Sequence, residues 1–172
     1  MEVKIKLEEG AVLPKYSKPG DVGMDLTAIT VRYDSDMDYI EYDSGVSVEI
    51  PEGYVGLVFP RSSISNKDLH LTNAVGIIDS EFRGTIKSRF KITSCYEQEV
   101  SINPFLNMGE FQVYVHALDV VRDTVINIPV YAVGERFAQL IIMPYPKIEF
   151  KVVDKLSETE RGEGGYGSTN IK

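Results

Sequence analysis

Apolar and polar residues alternate in several short stretches of the chain. They include Val3, Ile5 and Leu7 in VKIKL, Val46, Val48 and Ile50 in VSVEI, Ile86, Phe90 and Ile92 in TIKSRFKI, and Phe111, Val113, Val115 and Ala117 in FQVYVHA. A period of two sends every second side chain to the same face, so these stretches predict half-buried β-strands. Two more continuous apolar runs, Tyr54 to Phe59 and Phe137 to Met143, predict strands covered on both faces. Proline and glycine punctuate between them at Pro19-Gly20, Pro51 to Gly53, Pro60, Pro104, Pro129, Pro144 and Pro146. Many short strands with such turn signals predict an all-β barrel or sandwich. One short helix is expected over RSSISNKDL, Arg61 to Leu69, where a serine can accept from the free N–H groups of the first turn after Pro60. From Ser157 to Lys172 the chain has almost no apolar residue except Tyr166, too little to hold it against a core, so this tail is expected to be a mobile arm.

Length and charge narrow what such a protein does. At 172 residues with no abrupt change of composition, a single domain over 1–172 is expected. No apolar run is long enough for a membrane-spanning helix, and the N-terminal MEVKIKLEEG lacks the regions of a signal peptide, so a soluble intracellular protein is expected. The single Cys95 has no partner for a disulfide or a cysteine zinc site and is expected to be an ordinary thiol. A net charge of −8 excludes a broad nucleic-acid footprint. A small polyanion stays open, provided a few arginines converge and a divalent cation offsets the carboxylates.

Five stretches carry residues suited to that chemistry. RGEGGYGST places three glycines within four residues beside Arg161, Ser168, Thr169 and Tyr166. Glycines admit phosphate oxygens to backbone N–H groups, arginine forms a charge-assisted fork, and an aromatic offers a stacking face. A loose glycine-rich terminus has the same composition, and this one lacks a P-loop lysine. NAVGIIDSEFRG, Asn73 to Gly84, sets Asp79 at the end of an apolar hairpin with Phe82 beside it, which suits a water-activating base and a ring to pack on a sugar, or equally a β-turn aspartate over a core phenylalanine. Arg61, Ser62 and Ser63 in PRSSIS suit an anion site or a plain helix cap. DVGMDLTA and ERFAQLI each place one polar side chain, Asp25 or Gln139, inside an apolar run.

In their order along the chain, DVGMDLTA, PRSSIS, NAVGIIDSEFRG, ERFAQLI and RGEGGYGST resemble the first, second, third, fourth and fifth motifs of the trimeric dUTP pyrophosphatase (dUTPase) family, over about Asp21 to Thr169. The intervening DSGVSVEIPEGYVGLV resembles the family's Gly-turn and strand pair before the second motif. The resemblance implies an all-β, dUTPase-like barrel or jelly roll of the β-clip type with one short helix, hydrolysing dUTP to dUMP and pyrophosphate in a homotrimer whose sites are shared between subunits. It implies that Asp79 orients the attacking water and meets the deoxyribose 3′-hydroxyl, and that Phe82 lies beneath the sugar and excludes a 2′-hydroxyl. Asn73 and the hairpin at Gly76 and Ile78 would read the uracil edge. Arg61, Ser62 and Ser63 would hold phosphates. Gln139 and Asp25 would act through waters around Mg²⁺, itself held mainly by the substrate phosphates. Arg161, Gly164, Gly165, Gly167, Ser168 and Thr169 would close over the phosphates, with Tyr166 stacked on the base. Neither nucleic acid nor membrane is implied as a partner, and the location implied is cytoplasmic, or the interior of a host cell for a viral member.

The departures are Ser63 for the family's usual glycine, Phe82 for its tyrosine, Tyr166 for its phenylalanine, and Asn170 where glycine is common. Asp79 and Gln139 lie 60 positions apart, and Ser94 to Tyr131 carries more strand pattern than the family core needs. An inserted hairpin-like β segment over about 94–131 is therefore expected, as in some virus-encoded members, with room for a protein partner. Two other functions fit parts of the pattern. A dCTP deaminase of the same fold also tends to read RSS in its second motif, but needs a glutamate near the position of Arg89 and lacks the RGxGG[FY]GST tail. A regulatory protein binding through the inserted segment is the third.

Overall fold

The computed structural model describes residues 1–93, 114–119 and 124–164, with the backbone alone at 114–119 and 124–128. Cys95, Phe111, Val113 and the stretch Gly165 to Thr169 therefore lie outside the described residues. The strands are β1 (Lys4–Leu7), β2 (Met24–Thr27), β3 (Thr30–Asp34), β4 (Tyr39–Asp43), β5 (Val46–Glu49), β6 (Tyr54–Pro60), β7 (Leu69–Leu71), β8 (Gly76–Ile78), β9 (Lys87–Ile92), β10 (Tyr114–Asp119), β11 (Thr124–Pro129) and β12 (Arg136–Pro144). They form two four-stranded antiparallel sheets, ordered β2-β12-β6-β8 and β3-β4-β9-β7, and two strand pairs, β1-β5 and β10-β11. The architecture is all-β and jelly-roll-like, as the alternation predicts.

The core lies between the two larger sheets. Leu26, Val58, Phe137 and Leu140 come from one, Ile40, Tyr42, Leu71 and Phe90 from the other, and all are 6% exposed or less. Tyr42 is its centre, stacked on Phe137 at 5.4 Å between ring centroids and edge-on to Phe90 at 5.5 Å and to Tyr131 at 5.8 Å. Burial pushes the Tyr42 phenol pKa far up, and its oxygen accepts the Tyr131 backbone N–H at 3.1 Å, so the hydroxyl is buried with a partner. The chain passes from the first sheet to the second at Ala28 and Ile29, whose N–H groups donate to Glu135 and Asp43 carbonyls at 2.9 and 2.8 Å.

Several expectations change. The expected helix is a 3₁₀ segment of five residues, Ser62–Asn66, with Arg61 at its N-cap and no side-chain cap. Its bonds run from the Ile64 N–H to the Arg61 carbonyl and from the Lys67 N–H to the Ile64 carbonyl. Burial of Leu69 and Leu71 draws the chain into β7 before a longer helix can form. The apolar runs of β6 and β12 are not covered on both faces. In β6 only Gly56 and Val58 are buried, while β12 buries Phe137, Ala138 and Leu140 and leaves Met143 exposed. The adjacent buried pair Phe137-Ala138 follows from a register irregularity between Arg136 and Ala138 against β2. Finally, the side chains of β1 are all exposed in the single chain, because this strand pairs only with β5 at the periphery.

β10 and β11 form an antiparallel hairpin within the segment read as an insertion, pairing Tyr114 with Pro129 through Asp119 with Thr124. Val130 and Tyr131, assigned to that segment from the sequence, are instead 0% and 2% exposed in the core. Beyond β12, residues 145–163 are exposed and contain no strand or helix.

Candidate active site

The first cleft is built by the hairpin of the third motif. Pairing of β8 with β6, Val58 with Gly76 through Gly56 with Ile78, brings Asp79 just past the strand end. Gly76 is needed for this approach, since a Cβ there would lie 3.2 Å from the Val58 Cβ. The Phe82 N–H donates to the Asp79 carbonyl at 3.1 Å, closing a turn that holds the two side chains near one another. Phe82 lies over Gly84, where a Cβ would come within 2.7 Å of the ring. At the other end of the hairpin Ala74 has φ +58°, a left-handed conformation uncommon for a residue with a side chain. The cleft is about 640 Å³, and Asn73, Gly76, Ile78, Asp79 and Phe82 all line it, together with Glu41 and Arg89. Glu41 is already engaged by Arg89 Nε at 2.8 Å and Lys87 Nζ at 3.7 Å.

The second cleft lies where β12 runs between β2 and β6. Gln139 pairs in register with Asp25 on one side and Phe59 on the other, and Arg61 follows directly after β6. Both oxygens of the Asp25 carboxylate accept from side-chain donors. Oδ1 accepts from Arg61 Nε at 2.7 Å and Gln139 Nε2 at 3.2 Å, and Oδ2 accepts from Arg136 Nη1 at 2.9 Å and the Ser17 hydroxyl at 3.5 Å. Burial raises the Asp25 pKa, but hydrogen bonds from Arg61 and Gln139 and the charges of Arg61 and Arg136 outweigh it and hold the group below its ordinary 3.8. A depressed carboxyl contributes stability above its unfolded pKa and loses it as pH falls through the lowered value, so Asp25 is ionised throughout the neutral range. Gly23 packs against Gln139, where a Cβ would sit 3.1 Å from the side chain. This cleft is about 590 Å³ and is lined by Asp21, Asp25, Arg61, Arg136 and Gln139 among others.

The two clefts share no lining residue. One chain thus brings together the first, second and fourth motifs in one place and presents the third in another. Ser62 is exposed, and half-buried Ser63 touches Arg61 Nη1 at 3.4 Å and the Tyr131 hydroxyl at 3.3 Å. Arg161 turns back on its own segment, donating from Nε to the Gly164 carbonyl at 2.8 Å, and neither residue lines either of these two clefts. Gly165, Tyr166, Gly167, Ser168 and Thr169 lie outside the described residues. Arg136 was not singled out from the sequence. Its signal was the cation three positions before Gln139 in ERFAQLI, where a peptide of period two gives no hint that an irregularity turns it toward Asp25. Among the described residues no cluster of three or more His, Cys, Asp or Glu side chains is placed to hold a metal, and no helix is long and apolar enough to cross a membrane.

Comparisons with known proteins identify the family. The dUTPase family model matches residues 9–105 and 109–170. The deoxyuridine 5'-triphosphate nucleotidohydrolase of Escherichia phage T5 is 36% identical over 99% of both chains, and that of Cutibacterium acnes is 36% identical over 92% of this chain and 86% of its own. In structure the chain is similar to Staphylococcus bacteriophage 80alpha dUTPase with dUpNHpp, with a TM-score of 0.71 and 28% identity over 99% of each chain. The family model covers most of the chain and the curated relatives match along nearly its full length, so the chain belongs to the dUTPase family.

Proposed function

We propose that the protein hydrolyses dUTP to dUMP and pyrophosphate in a site completed between copies of the chain in a homotrimer. The observation that carries this is the separation of the two clefts. One has a narrow hairpin, a carboxylate and an aromatic ring, suited to a deoxynucleoside, and the other has Arg61, Arg136 and Gln139 around Asp25, suited to a triphosphate. Each is half of a nucleotide site, and a neighbouring copy supplies the other half. Exposed apolar side chains support self-association: Phe150 is 93% exposed and Val152 95%, with Ile5 and Leu7 exposed on the peripheral strand.

In this site Asn73 and the backbone at Gly76 and Ile78 pair with the uracil edge, which differs from cytosine at N3 and C4, and the narrow hairpin leaves no room for a thymine methyl. Phe82 packs beneath the deoxyribose. Asp79 meets the 3′-hydroxyl and takes a proton from the water as its oxygen bonds to the α-phosphorus. The bond from that phosphorus to the α,β-bridging oxygen breaks, and pyrophosphate leaves with the electron pair. Arg61, Ser62 and Ser63 hold phosphates, Gln139 would act with Asp25 through waters around Mg²⁺, and Arg161 and Gly164 to Thr169 close over the phosphates, with Tyr166 on the base. The donor set suits Mg²⁺ held mainly by substrate phosphates, since the second cleft offers Asp21 and Asp25 but no protein cage. The ion would supply charge neutralisation on the phosphates, with Asp25 reaching it through water. The reading places the enzyme in the cytoplasm, or in the host cell for a viral protein. A deaminase reading is disfavoured because Glu41, the carboxylate beside Arg89 in the first cleft, is tied up by two cations.

Pyrophosphate release from dUTP, with little from UTP, dCTP or dTTP, tests the substrate. Ammonia release from dCTP would indicate the deaminase. Co-expression tests the shared site. Asp79→Asn and Arg61→Ala are each expected to be inactive alone, whereas random mixing within trimers restores about a quarter of wild-type activity, because one site in four draws both intact halves. A mixture no more active than its parents would place the whole site in one chain. Gly84→Ala tests Phe82. The added methyl displaces the ring, so preference for dUTP over UTP is expected to fall by about tenfold with little change in Tm, because the ring is 41% exposed and free to shift. Unchanged preference would remove Phe82 from sugar selection.

A further inference from the structure

Ser63 stands where the family usually has glycine, and the structure gives its hydroxyl a defined place in a hydrogen-bond chain. That chain runs from the core to the second cleft: the Tyr131 hydroxyl to Ser63 Oγ at 3.3 Å, Ser63 Oγ to Arg61 Nη1 at 3.4 Å, and Arg61 Nε to Asp25 Oδ1 at 2.7 Å. Its inner end is fixed. Tyr131 is 2% exposed, its ring packs edge-on to Tyr42 and Phe90, its N–H donates to the Tyr42 hydroxyl, and the Lys67 ammonium sits 5.1 Å from the ring centroid. Lys67 is held in turn by the Val130 carbonyl at 3.0 Å and by Glu135 at 3.5 Å. The tyrosine oxygen is therefore held at a fixed point at the edge of the core.

We propose that Tyr131 is a positioning residue for the triphosphate half of the site, acting through Ser63 on Arg61. A serine hydroxyl has two acceptor lone pairs and one donor. Bonded to the Tyr131 hydroxyl and accepting from Arg61 Nη1, Ser63 grips the near edge of the guanidinium while Asp25 grips Nε. Two contacts fix the plane of the fork and leave its remaining N–H groups, one on Nη1 and two on Nη2, for a phosphate oxygen. Glycine at this position has no oxygen with which to hold Nη1, so the pinning by Tyr131 exists only together with Ser63. The chain couples residues 68 apart in sequence, the second of them two places after the β10–β11 hairpin.

This inference rests on the Arg61 cleft binding phosphate, and its test separates the two. In Tyr131→Phe the ring packing and the backbone bond to Tyr42 are kept and only the hydroxyl is lost. KM for dUTP is expected to rise about fivefold, the effect of one hydrogen bond, while inhibition by deoxyuridine, which has no phosphate, and Tm stay unchanged. Ser63→Gly is expected to raise KM at least as much, and the double variant Tyr131→Phe/Ser63→Gly no more than Ser63→Gly alone, because the Tyr131 link is already broken there. An unaltered KM in Tyr131→Phe, multiplicative effects in the double variant, or equal weakening of deoxyuridine and dUTP would overturn the positioning role. Absence of any dUTP hydrolysis by the wild type would instead overturn the underlying assignment of the cleft.

Discussion

Replacing Asp79 with asparagine is expected to slow dUTP turnover by roughly a hundred- to ten-thousand-fold, the range for loss of a general base, while leaving affinity for a non-hydrolysable analogue within a few-fold. The geometry makes this a clean substitution. The turn at Asp79 is held through its backbone carbonyl, which accepts the Phe82 N–H, so an amide of the same shape keeps the turn. Among the described residues the Asp79 side chain has no protein partner whose loss would destabilise the fold. An asparagine still accepts from a sugar hydroxyl but takes up no proton from water. Measured kcat near the wild-type value would remove Asp79 from the chemistry.

Ending the chain after Glu160 is expected to lower kcat/KM for dUTP by roughly a hundredfold or more, the scale on which preorganised charge acts at a phosphate, with Tm unchanged. The two halves of this expectation have separate grounds. Residues 161–163 are exposed, and Arg161 is bonded within its own segment, so the sheets lose no contact with these described residues when the chain ends there. The loss in catalysis follows from the proposed closure of Arg161 and the glycine-rich stretch over bound substrate. A collapse of Tm would show that the arm supports the fold, and full activity would deny it any part in catalysis.

Strand content was legible because it depends on local alternation: Val46, Val48, Ile50 and Phe90 are buried as their period predicts. What alternation does not encode is the position of a strand in its sheet. VKIKL and VSVEI have the same pattern, yet Ile5 stays exposed and Val48 is buried, because only β5 lies against the core. The serines after Pro60 suggested a capped helix, but five residues caught between β6 and β7 close only 3₁₀ turns. The site was legible as a set of motifs and not as a shape. Asn73, Gly76, Ile78, Asp79 and Phe82 meet because they share one hairpin, and short range makes that readable. Asp25, Arg61 and Gln139 meet through strand pairing between distant segments, which resemblance implied and no spacing displays. Arg136 and Tyr131 escaped notice for the same reason. One gains its place from an irregularity in β12, the other from a partner 68 residues away.

The separation of the two clefts on one chain bears on how activity scales with amount. If each chain carries two half-sites that do not meet, a lone copy is folded but silent, and hydrolysis becomes a matter of mass action among copies. Specific activity is then not a constant of the protein. It declines on dilution below the range in which the trimer holds together, and recovers as concentration rises. In a cell beginning to make this chain, the first molecules would do little, and dUTP removal would set in steeply once enough copies had accumulated to find one another.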